Sequence, residues 1–139
     1  MRLTEILGML FVSACIAGAS IMAHELAHAL VCILTNSQLL GFKALFIRFD
    51  GRRLSFGFNG KNHCAFQTND KRIMKRIVAA GPISELIIAA ICLVASTRLD
   101  ARWIKYGLLI DFVWIIVTTT VDLHPKANGD GKLLFTKGE

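Results

Sequence analysis

The stretch ILGMLFVSACIAGASIMAHELAHALVCIL, residues 6–34, decides the fold. It exceeds the roughly 20 apolar residues that cross a hydrocarbon core, and only the cluster His24, Glu25 and His28 interrupts it. The run is too long for a signal-peptide core, and no small-residue cleavage site follows at a suitable place. It is therefore expected to stay in the mature protein. Small residues recur as Ala14-x-x-x-Gly18 and Ala23-x-x-x-Ala27, a spacing that lets a neighbouring helix come close.

Working outward, two more apolar runs lie at 77–96 and 103–121, the last opened by Trp103 and Tyr106, residues suited to a membrane interface. The whole chain is 54% hydrophobic over 139 residues, with a mean hydropathy of +0.54. A soluble domain of this size lacks the interior to hide so much apolar surface. The expected fold is an α-helical membrane protein with about three transmembrane helices, forming a single domain over 1–139. Between the first two helices, Ala44–Phe49, Asp50-Gly51 and Arg52–Phe58 read as a β-hairpin. Asp-Gly is a favoured two-residue turn, and Leu54, Phe56 and Phe58 alternate with Ser55 and Gly57. The polar stretch Asn59–Asp70 reads as loop, and its His63 and Cys64 are expected to bind nothing.

The net charge of +6 would suit nucleic acid, but no binding motif accompanies it and the basic residues sit between the apolar runs. A nucleic-acid partner is not expected. Lys43, Arg48, Arg52, Arg53, Lys61, Lys71, Arg72, Lys75 and Arg76 fall between the first two runs, and Lys126, Lys132 and Lys137 in the tail. The other side carries only Arg2, Arg98, Arg102 and Lys105. Positive residues collect in cytoplasmic loops, so the first connection and the C-terminus are expected in the cytoplasm and the N-terminus outside. That describes a multi-pass protein of the cell membrane. Cys15, Cys32, Cys64 and Cys92 form no CxxC pair and read as small hydrophobes rather than a disulfide frame.

His24-Glu25-Leu26-Ala27-His28 is an HExxH pattern. Residues i and i+4 share a helix face, so both imidazoles can grip one ion, and the intervening Glu can take a proton from water. Three ionisable groups inside an apolar run are costly without such a partner. A third ligand is needed, and Glu85, Asp111, Asp122 and Asp130 are the acids near or within the membrane. Asp111 falls near the middle of the third helix, deeper than the histidines, and a bond to a neighbouring helix would explain it. Asp122 and Asp130 lie on the histidines' side. Pro125 and the turn Asn128-Gly129-Asp130-Gly131 would unwind the chain and let Asp130 fold back; on local sequence alone the same turn reads as plain surface. Thr118, Thr119 and Thr120 would return hydroxyls to the helix backbone or line a substrate path.

Three elements together resemble the site-2 protease family of intramembrane zinc proteases. HELAH at 24–28 is similar to that family's HExxH. Gly81-Pro82-Ile83-Ser84-Glu85 looks like its GPxxN, and Asp122 through Gly131 looks like its NxxPxxxxDG. Their order and spacing cover essentially the whole chain as a minimal three-helix core. The resemblance implies one zinc ion held by His24, His28 and Asp130, with Glu25 as the catalytic base. Gly81, Pro82, Glu85 and Asp122 would line the site or the substrate path. Glu85 and Asp122 stand where the family has asparagines, which makes each a rival ligand. The 44–58 hairpin sits where the family has a membrane-associated hairpin, whose edge strand would hold an extended substrate.

The expected function is hydrolysis of a peptide bond in or near a transmembrane segment of a membrane-anchored protein or hydrophobic peptide. Further helices of larger relatives are missing, which leaves room for a homo-oligomer or a regulatory membrane partner. The alternatives are a non-catalytic regulator of the same fold and a metal-ion transporter. Intact Glu25 argues against the first, and the lack of related halves against the second.

Overall fold

A computed structural model describes residues 2–57, 61–125 and 130–135. Phe58 and Asn59 of the expected hairpin and loop lie outside them, as do Lys126, Asn128, Gly129 and Lys137. Three long helices, α1 (Leu3–Leu34), α2 (Lys71–Arg98) and α3 (Arg102–Asp122), pack on one another. Four short strands, β1 (Gln38–Ala44), β2 (Ile47–Phe49), β3 (Leu54–Phe56) and β4 (His63–Gln67), separate the first two, and α4 (Asp130–Phe135) follows the third.

All three long helices are long and apolar enough to cross a membrane. Their large apolar side chains face outward, among them Phe11, Leu30, Ile87, Ile91, Ile110 and Trp114. The interior holds Ser20, Glu25, His28, Glu85, Ser96, Asp111 and Thr119 beside small or branched residues such as Ala29, Cys32, Ile77 and Ala89. That is the reverse of a water-soluble bundle, where the apolar stripe turns inward.

α2 begins at Lys71 rather than near Ile77, because Asp70 caps it. The Asp70 carboxylate accepts from Arg72 N–H at 2.7 Å and from Ile73 N–H at 3.4 Å. Lys71, Arg72, Lys75 and Arg76 lower the hydropathy of the first turns without disfavouring helix.

The sheet is larger than the expected hairpin, with strand order β3-β2-β1-β4 and every pair antiparallel. Ala44 ends β1, and the chain reverses at Leu45-Phe46, in the middle of the segment expected as one strand. Nothing local marks that turn. Leu45 takes a left-handed φ of 54° there, and Asn62 Oδ1, from the lead-in to β4, accepts its N–H at 2.8 Å. The β2–β3 hairpin is present with its tip one residue late. Phe49 faces Leu54, Asp50 N–H donates to Arg53 O at 3.1 Å, and Gly51 takes φ 72° at the first position of the tip. His63–Gln67 is a strand and not loop, paired along β1 from Lys43 to Gln38. Cys15 is exposed and Cys64 half-buried, so only Cys32 and Cys92 are the buried hydrophobes expected of all four; none is bonded.

Candidate metal centre

His24 and His28 lie one turn apart on α1, their rings edge to face with centroids 4.7 Å apart. Asp130, at the start of α4, brings Oδ2 to 3.2 Å from His24 Nε2 and 3.1 Å from His28 Nε2. Those three atoms all fall within 4.8 Å of one another, and no other His, Cys, Asp or Glu among the described residues joins them. Ligands around a tetrahedral ion at 2.0–2.1 Å stand about 3.3 Å apart, close to the spacing of Asp130 from either ring. Asp130 Oδ2 is also a buried acceptor with no hydrogen bond of its own, and burying such an atom without a partner is costly. The donor set, its spacing and the orphaned oxygen all fit one cation.

Helix α2 arranges both rings. His28 Nδ1 lies 2.6 Å from the carbonyl of Ile77. A carbonyl accepts only, so Nδ1 carries a proton, and Nε2 is the ring atom that faces Asp130. His24 Nδ1 lies 3.2 Å from Glu85 Oε1, a contact of ion-pair length that is off the line of a hydrogen bond. Glu85 is itself held by Thr119 of α3, whose hydroxyl donates to Oε2 at 2.7 Å. Glu85 thus stands behind His24, on the side away from Asp130.

The remaining motif residues follow from packing. A Cβ on Gly81 would lie 2.6 Å from His24 Nε2 and closer still to His28 Nε2. Only glycine lets α2 approach the two rings this closely. Pro82 is buried one residue on, and its ring nitrogen offers no N–H to the carbonyl of Val78. A Cβ on Gly131 would collide with the Leu123 carbonyl and reach within 2.9 Å of Asp122 O; its absence seats the first turn of α4 against the end of α3.

A cavity of about 550 Å³ opens on the centre, lined by His24, Glu25, His28, Asp122 and Asp130 with Asn62, His63, Cys64 and Lys132. Glu25 is buried at its floor. Burial alone would push the Asp130 carboxyl up, but the two imidazoles outweigh it and hold the group at about 2. Burial pushes the Cys64 thiol up to about 12, with Glu25, Cys32 and Asp130 adding to the shift.

Of the sequence-predicted residues, His24, Glu25, His28, Asp122 and Asp130 line the cavity, Glu85 and Gly81 lie against the histidines, and Pro82 follows Gly81 on α2. Asp111 is buried beside Ser13 of α1, outside the ligand group. Of the three threonines, Thr118 and Thr120 bond back to the helix, to Trp114, Ile115 and Ile116, while Thr119 serves Glu85. Asn62 and Lys132 line the cavity with no sequence signal, and so do His63 and Cys64, expected to bind nothing in a stretch too polar to read as a strand. Comparison of the chain with models of protein families, with curated proteins and with solved structures finds no match.

Proposed function

We propose that this chain is a membrane-embedded zinc endopeptidase, similar to the site-2 proteases, that cuts membrane-anchored proteins or hydrophobic peptides in or near a transmembrane segment. The observation that supports it most is the meeting of His24 Nε2, His28 Nε2 and Asp130 Oδ2 beside a buried Glu25. Two histidines and a carboxylate also suit ferrous iron. The glutamate directly after the first histidine favours zinc and hydrolysis, since a metal held for binding alone has no use for a neighbouring base.

His24, His28 and Asp130 would hold the ion, which would supply Lewis acidity at the scissile carbonyl and acidify water to a pKa of about 7. Glu25 takes the proton of the attacking water and delivers it to the leaving amine as the C–N bond breaks. Glu85 and the Ile77 carbonyl keep each imidazole facing the ion. The centre lies six to ten residues before the end of α1, about 9–15 Å along its axis at 1.5 Å per residue. Water and substrate would reach it through the cavity whose wall includes β4. With the charge bias noted above, that side is cytoplasmic. The strand bordering the cavity is β4, whose outer edge pairs with no strand among the described residues, and not the β2–β3 hairpin. Strand addition by an extended substrate therefore belongs at β4. The exposed Leu54 and Phe56 of β3 suit contact with the bilayer interface.

The test compares the full chain with Glu25→Gln in liposomes, using a transmembrane-peptide reporter and zinc analysis. Cleavage lost with zinc retained supports the reading. Equal cleavage by both proteins, or none by either, contradicts it.

A further inference from the structure

We propose that His63 touches the substrate at the scissile bond, donating a hydrogen bond from Nε2 to the carbonyl oxygen as negative charge builds there. The proposal rests on the peptidase reading and adds the group that stabilises the oxyanion. His63 opens β4 and lines the cavity that holds Glu25 and the three metal-holding residues, yet it stands outside their ligand group. Its ring is pinned from behind: Nδ1 lies 3.0 Å from the Lys61 carbonyl and donates to it. The neighbouring residue is fixed too, since Asn62 Oδ1 accepts Leu45 N–H at 2.8 Å and so ties the start of β4 to the β1–β2 turn. Nε2 is the ring atom left for a ligand.

The chemistry of the cavity calls for such a donor. Glu25, Asp122 and Asp130 offer acceptors, and the donors on the wall come from Asn62, His63 and Lys132. Asn62 turns its carbonyl oxygen to Leu45, which leaves its amide NH2 as a second donor on the wall, and Lys132 has a contact of its own. With Nδ1–H already donated to the Lys61 carbonyl, donation from Nε2 as well requires a proton on both ring nitrogens. The titratable and charged groups around it are His24, Glu25 and His28 of α1, Lys43 opposite it on β1, Asp122 of α3, Asp130 and Lys132 of α4, and Lys61 and Cys64 in its own segment. In the step itself the water oxygen bonds to the carbonyl carbon and the C=O π pair moves onto oxygen. On collapse the oxyanion pair re-forms C=O, the C–N bonding pair leaves on nitrogen and Glu25 delivers the water proton to it; the His63 proton stays on its ring.

The experiment uses the full zinc-loaded chain in detergent with two probes. One is an apolar phosphinic peptide, whose anionic oxygens mimic the tetrahedral species, and the other a fluorogenic transmembrane peptide. Transition-state analogues feel donors that substrates do not. His63→Leu is expected to lose about 10²–10³ in phosphinate affinity and in kcat, with KM and zinc content unchanged. His63→Gln, which keeps an N–H donor, is expected to recover most of both. Unaltered phosphinate affinity and kcat in His63→Leu overturn the proposal, as does an equal loss in both variants accompanied by loss of zinc. A wild-type chain that neither binds phosphinate nor cleaves overturns the peptidase reading and this inference with it.

Discussion

Thr119 of α3 and Glu85 of α2 are joined by a 2.7 Å hydrogen bond that leaves the second Glu85 oxygen facing Nδ1 of His24, 3.2 Å away. All three long helices thus meet through one carboxylate behind a single imidazole. A carboxylate in this place limits the rotation of the His24 ring.

Removing that support weakens metal binding without removing a ligand. Glu85→Ala is expected to lower zinc affinity by about 10–100-fold, and Thr119→Val by less, measured by competition with a chromogenic chelator. Unchanged affinity in Glu85→Ala would show that His24 needs no carboxylate behind it.

Gly81→Ala separates helix propensity from site geometry. Alanine favours helix over glycine by about 1 kcal/mol, yet its methyl would occupy the space between the two Nε2 atoms. Helix content by circular dichroism is expected to hold while stoichiometric zinc is lost. Full zinc content in this variant would mean that α2 sits further from α1 than described.

Gly131→Ala acts from the other side. The added methyl meets the carbonyls of Leu123 and Asp122, so α4 must lift and draw Asp130 away from both rings. Zinc affinity is expected to fall toward that of Asp130→Ala, read by the same competition. An affinity equal to wild type would exclude a docked α4.

Much of this centre is legible in the sequence, and the reason is local. HExxH needs only the helical repeat to place two rings on one face, and the long apolar run supplies the helix. The position of Asp130 was legible only through resemblance, since a Gly-Asp-Gly turn reads locally as surface and its docking depends on a tertiary contact with Leu123. The sheet was half legible. Leu54–Phe56 alternates as a strand should, but β4 is polar at His63 and Gln67 and exists because β1 pairs with it. The roles of Ile77 and Thr119 had no sequence signal, because one acts through its backbone carbonyl and the other looks like its two neighbours.

The metal-free chain should respond to acid through Asp130. Its folded-state pKa is depressed from 3.8 to about 2 by the imidazoles of His24 and His28. The stability this adds is fully present above 3.8 and is lost as the pH falls through about 2. Thermal unfolding in detergent between pH 5 and pH 2 should show this acid loss in wild type and a smaller one in Asp130→Asn. Identical profiles would mean that Asp130 does not meet the histidines in the absence of metal.

The most direct test of the central claim is X-ray absorption at the zinc edge on purified chain, with zinc content measured for each ligand variant. The expected result is one zinc per chain with two imidazole nitrogens and a carboxylate oxygen at about 2.0–2.1 Å. Zinc is expected to be lost on replacing His24, His28 or Asp130 by alanine and kept in Glu25→Gln. A sulfur ligand, or zinc retained undiminished in Asp130→Ala, would contradict it.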